Sequence, residues 1–342
     1  MRRANTGALC SLLFLIGIGL GRPSAEAQAS ATAQLREEAE KLKAFVASPA
    51  VREFLAATSL LPEIEPRTLL RDNDTSSYYT AAEARALPQG ERDALEEVVF
   101  DAYYYYTTRY GSPLAYCRAL DLVARTGVTS FAGKRILDFG YGTIGHLRLL
   151  ASLGAHVVGI EVNPLYPKLY GEPMDQGSID GIAGRSGSIR LLHGRYPAES
   201  QLRAQVGDDY DLFLSKNTLK RGYIHPERAV DERMTIQLGV DDSTYVQAVF
   251  EALKPGGYFL IYNLAPAPAP PDQPYIPWAD GRCPFTRDLL EAAGFQILAY
   301  DVDDSVAARE MGKRLGWADG ENAMDLENDL FGTYTLARKL GR

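Results

Sequence analysis

From Lys134 to Pro164 the chain reads KRILDFGYGTIGHLRLLASLGAHVVGIEVNP, and no other segment constrains the fold as strongly. An apolar run at 135–139 enters a turn that carries Gly140, Gly142 and Gly145. A helix opens near Thr143, and a second apolar run at 156–161 ends on Glu161. Strand, glycine turn, helix and strand make the βαβ unit of an open parallel sheet, whose ligands lie beyond the carboxyl ends of its strands. Glycines let a ligand approach the backbone closely, and Glu161 stands where a carboxylate can accept from ribose hydroxyls. GYGTIG formally matches GxGxxG, a weak signal that by itself would suggest a nicotinamide or flavin dinucleotide. Asp138, two residues before the first glycine, points away from NAD, because a carboxylate there suits a cationic or amino-bearing ligand.

The same alternation continues along the chain. Apolar runs at 188–193, 210–215, 258–263, 295–302 and 330–338 alternate with helical stretches near 198–205, 243–254, 285–293 and 304–316. This is the pattern of an α/β fold, a doubly wound, mostly parallel sheet of seven strands with helices on both faces. Before it, Leu35, Ala39, Leu42 and Val46 recur at helical spacing, as do Leu95, Val98, Ala102 and Tyr106. Both stretches predict amphipathic helices, hence a helical N-terminal extension or lid over 30–129 ahead of a sheet domain over 130–342. Tyr103, Tyr106 and Tyr110 would share one helix face, either packed between the domain and the first helix or offering rings to a ligand.

Residues 1–29 read as an export signal. Arg2 and Arg3 precede the apolar GALCSLLFLIGIGLG, and small residues follow at Ala25, Ala27 and Ala29. The expectation is a periplasmic or extracellular protein with no stable membrane span after cleavage, anchoring through 7–21 being the alternative. Cys117 and Cys283 would then face an oxidising compartment. Three cysteines without CxxC spacing give no metal reading. A net charge of −8 and a pI near 5.2 argue against a basic nucleic-acid surface, so no nucleic-acid partner is expected.

LDFGYGTIG, Glu161 in VVGIEVNP, YDLFLSKN and LKPGGYFLIYN together resemble the successive landmarks of class I S-adenosylmethionine-dependent methyltransferases, over roughly residues 110–340. The resemblance implies a Rossmann-like domain with S-adenosyl-L-methionine as cofactor. The glycine turn would lie beneath its methionine part, Glu161 on its ribose and the end of the fourth strand at the reaction site. By position these roles fall on Asp138, Gly140, Gly142, Glu161 and the SKN of Ser215, Lys216 and Asn217, and Tyr110 would offer its ring to the sulfonium. Where many members place an Asp after the third strand to hold the adenine amino group, this chain has Arg195.

Methyl transfer needs donor and nucleophile held in line, and a base only if the acceptor must lose a proton. His225, on the loop after the fourth strand, is the candidate base, with Asn217 beside it. The acceptor would be a small molecule or a component of the cell envelope. Two other readings stay open: an exported, non-catalytic binding module of the same fold, and an NAD(P)-dependent oxidoreductase.

Overall fold

The computed structural model describes residues 30–107, 111–320 and 323–341. The proposed signal and Tyr110 lie outside these residues. Eleven strands occur in the described chain: β1 (Arg67–Arg71), β2 (Tyr78–Tyr79), β3 (Glu96–Phe100), β4 (Arg135–Phe139), β5 (His156–Glu161), β6 (Gly177–Asp180), β7 (Ser186–His193), β8 (Tyr210–Lys216), β9 (Leu253–Ala265), β10 (Phe295–Asp303) and β11 (Phe331–Lys339).

The last eight strands form one sheet in the order β10-β11-β9-β8-β4-β5-β7-β6. β9, β8, β4, β5 and β7 are parallel, and β11 runs antiparallel between β9 and β10. β4 and β5 begin and end where their apolar runs do. The sheet has eight strands rather than the expected seven, because GSID at β6 pairs antiparallel with the edge of β7. Only Ile179 of that strand is buried, so its sequence carries no periodic signal.

Strand order reverses beside β4: β5 and β7 follow on one side of it, β8 and β9 on the other. A crevice opens at such a reversal, beyond the carboxyl ends of the strands. Helices cover both faces. Gly145–Ser152 is buried along its whole length between β5, β7 and the N-terminal helices. Asp242–Ala252 covers the other face through Tyr245, Val246 and Val249.

The N-terminal extension is helical only in part. The first expected helix is two, Ala31–Leu42 and Pro49–Ala56, buried through Leu35, Leu42, Val51 and Phe54, with Val46 in the break between them. The second expected helix is instead a turn of helix at Gln89–Asp93, strand β3 and a short helix Ala102–Thr107. EEVVF has two β-branched residues and an aromatic in a row, and it pairs antiparallel with RTLLR of β1, so partner pairing overrides the helical spacing of Leu95 and Val98. In the six-residue tyrosine helix, Tyr105 and Tyr106 are the buried tyrosines while Tyr103 is exposed. Tyr106 O accepts from Thr143 Oγ1, which joins this helix to the glycine turn.

The extension is fastened to the sheet domain at a second point. Arg67 of β1 makes a bidentate pair with the buried Asp175 (2.7 and 2.9 Å), Tyr105 Oη donates to the same carboxylate at 2.6 Å, and the guanidinium lies 4.8 Å from the Tyr105 ring centroid. Cys117 and Cys283 are both buried and free. Among the described residues no helix is long and apolar enough to cross a membrane.

Candidate active site

A cavity of about 1050 Å³ lies at the carboxyl ends of β4, β5, β7 and β8. Its floor is the glycine turn. Gly140 has φ +75°, and a Cβ there would fall 2.3 Å from Thr218 Oγ1, so backbone conformation and packing each require glycine. Gly145 is required by crowding alone, since a Cβ would meet Tyr106 O at 2.6 Å.

Glu161 ends β5 on the cavity wall. Its Oε1 accepts from the N–H groups of Val162 (2.8 Å) and Asn163 (3.2 Å), and its Oε2 accepts from Gly142 N (3.3 Å), so the carboxylate locks the turn. Desolvation nevertheless raises its pKa above the usual carboxylate value, against the three N–H groups that favour the charged form. A hydroxyl donated to its free lone pairs would relieve that cost.

Asp138 does not reach the cavity. It is fully buried, and its Oδ2 is 2.8 Å from His146 Nε2. The His146 ring stacks on Tyr116 at 3.6 Å and 7°, so the ring of Tyr116, not the carboxylate, faces the opening. Asp138 Oδ1 and His146 Nδ1 have no hydrogen-bond partner among the described residues. The carboxylate expected to face a ligand is turned onto His146 instead.

β8 delivers Lys216, Asn217 and Thr218 to the cavity. Strand alternation turns Ser215 the other way: it is wholly buried and its Oγ accepts from Leu219 N at 3.3 Å, so it is not a cavity residue. Asn217 lines the cavity but is occupied by its turn. It has φ +65°, its N–H donates to Tyr262 O (3.1 Å), and its Oδ1 accepts from Leu264 N (2.7 Å). His225 stands apart, about half exposed beyond the short helix Arg221–Ile224, with Nε2 2.8 Å from Asp242 Oδ2. It is not among the residues that line the cavity.

Several lining residues carried no sequence signal that marked them as such. Tyr116 lay in a stretch that reads as plain helix, and Tyr141 lay between glycines. Residues 232–238, beyond the loop singled out after β8, close one side. Glu199 could have been found, because it follows Arg195 by one helical turn: its Oε1 accepts from Arg195 N at 2.7 Å, and it shares the cavity wall with Gly194 and Arg195. Trp278 brings the Pro-rich loop to the rim, so that loop and the segment after β8 converge there. Lys220 holds them together, donating to Leu264 O (2.6 Å) and Trp278 O (3.0 Å).

No family model matches the chain. Over 162 residues it is 27% identical to ribosomal RNA large subunit methyltransferase E of Archaeoglobus fulgidus, which covers 46% of this chain and 72% of that protein. Among solved structures it is similar to an S-adenosylmethionine-dependent methyltransferase from Mesorhizobium loti (17% identity, 66% of this chain and 97% of that one, TM-score 0.36). Another is a Haemonchus contortus phosphoethanolamine N-methyltransferase in complex with S-adenosylhomocysteine (14%, 72% and 63%, TM-score 0.40). The sequence relative corrects one expectation. Net acidity had argued against a nucleic-acid partner, yet that relative is named for ribosomal RNA. Net charge describes the whole surface and does not decide what one crevice accepts.

Proposed function

We propose that this chain, which has the class I S-adenosylmethionine-dependent methyltransferase fold, binds S-adenosyl-L-methionine over its glycine turn and transfers the methyl group to an acceptor entering from the β8 side. The observation that carries this reading is Glu161, fixed by Gly142 and exposed to the cavity at the end of the strand next to β4. The donor set fits the cofactor. Glu161 offers acceptor oxygens to the ribose hydroxyls, the glycine turn and Tyr116 lie along the path of the methionine part, and Glu199 supplies the carboxylate that Arg195 does not, toward the adenine amino group. The bound sulfonium supplies an activated methyl group. The chain's own residues have to orient it, exclude water beneath Trp278 and residues 232–238, and accept a proton where the acceptor carries one.

In the same reading, residues 1–29 direct export and residues 30–129 form an extension that braces the glycine turn. Methyl transfer is tested with donor labelled in its methyl group, offered with purified protein to RNA, envelope and small-molecule fractions of the host. Label incorporated into one fraction and lost with Glu161→Ala is the expected result. Tight cofactor binding with no incorporation into any fraction would leave a binding module of methyltransferase fold in its place.

A further inference from the structure

Lys216 is a cavity residue whose chemistry the reading above does not use. It is 6% exposed and lines the cavity, and no hydrogen-bond acceptor lies on its Nζ among the described residues. Pairing of Asp138 with Leu214 in the parallel β4–β8 ladder brings Lys216, two residues further on, level with Gly140 at the glycine turn. Its Nζ lies 5.2 Å from the Tyr116 ring centroid, and that ring covers His146 and through it Asp138. An amine that faces the cavity without a hydrogen-bond acceptor is either waiting for one or poised to be neutral.

Given the cofactor reading above, we propose that Lys216 is the general base of the transfer. The acceptor's proton passes to the Nζ lone pair as its nucleophilic atom bonds the methyl carbon. The sulfur–methyl bond breaks, and the sulfonium leaves as a neutral thioether. Atoms and charge balance: the positive charge moves from sulfur to the Lys216 ammonium.

The surroundings of the amine favour this role. Burial lowers its pKa to about 8, Asp138 of β4 and Cys117 of the helix Tyr116–Ala124 oppose that shift, and burial first and Lys216 second lower the amine of Lys220 on the following loop to about 7. A second positive charge seated in the cavity pushes the Lys216 amine further toward its neutral form. Proton release on binding therefore reports, without knowledge of the acceptor, whether the amine lies close enough to the sulfonium for the role.

The experiment is calorimetric titration of the full chain at pH 8, with S-adenosylmethionine and with S-adenosylhomocysteine, in buffers of different ionisation enthalpy. The wild type should release part of a proton per sulfonium ligand, and clearly less with the neutral thioether. Lys216→Met and Lys216→Arg should bind both ligands but lose the difference, since guanidinium does not deprotonate. Equal release with both ligands in the wild type, or a difference that survives in Lys216→Met, overturns the proposal. Failure of the wild type to bind either ligand instead overturns the cofactor reading, and the base goes with it.

Discussion

Glu161 carries two duties on one carboxylate, locking the turn through Gly142 and presenting oxygens to the cavity. Glu161→Ala should weaken S-adenosylhomocysteine binding by about 1–3 kcal/mol, the size of charge-assisted hydrogen bonds lost; calorimetry checks it, and unchanged affinity would place the ribose elsewhere. His225 was the histidine that loop position singled out, yet its ring faces Asp242 on the surface. His225→Gln should accordingly leave methyl transfer within about twofold of wild type, as surface pairs contribute little; a loss of 100-fold would return it to the site. Lys216 sets a pH dependence whose sign is definite. Its folded pKa near 8 lies below the ordinary lysine value, so the unfolded chain holds more protons between roughly pH 8 and 10.5, and this group's contribution to stability rises with pH across that window. Below pH 8 the burial cost is fully present. Lys216→Met should therefore melt higher than wild type at pH 7, with the gap closing by pH 10.

At the scale of elements, β4, the glycine turn and β5 were legible residue for residue, because a short apolar strand, a glycine cluster and a terminal acid each have one physical meaning in sequence. Gly140→Ala should cost about 1–2 kcal/mol for a left-handed backbone and about 1–3 more for the clash with Thr218, read as a lower urea midpoint. What was not legible depends on partners distant in the chain. EEVVF became β3 only because RTLLR lies beside it, and β6 exists only as an addition to β7. Asp138 was rightly singled out as unusual, but nothing in LDFGYG announces that His146, two turns on, takes the carboxylate first. The β8 loop and the Pro-rich loop after β9 converge because both leave the carboxyl ends of parallel strands, whereas the closing segment 232–238 lies beyond any motif.

The molecule as a whole is a sheet domain whose glycine turn is braced by the N-terminal extension. Tyr106 O meets Thr143 beside that turn, and Arg67 meets Asp175 beyond β5. Arg67→Ala leaves Asp175, which is wholly buried, with the Tyr105 hydroxyl and the Glu172 N–H but no cation, so a stability loss of about 3–5 kcal/mol is expected by chemical denaturation. Affinity for the cofactor should fall as well, if the extension holds the turn in shape. The expectations for cofactor affinity and methyl transfer rest on what occupies the cavity over Gly140 and Gly142. A calorimetric titration of the purified chain with S-adenosylhomocysteine, run beside NADH, tests that most directly. Saturable binding of one S-adenosylhomocysteine per chain, weakened roughly 5- to 150-fold by Glu161→Ala with no heat from NADH, is the predicted result. No binding of S-adenosylhomocysteine, or binding of NADH in its place, would contradict it.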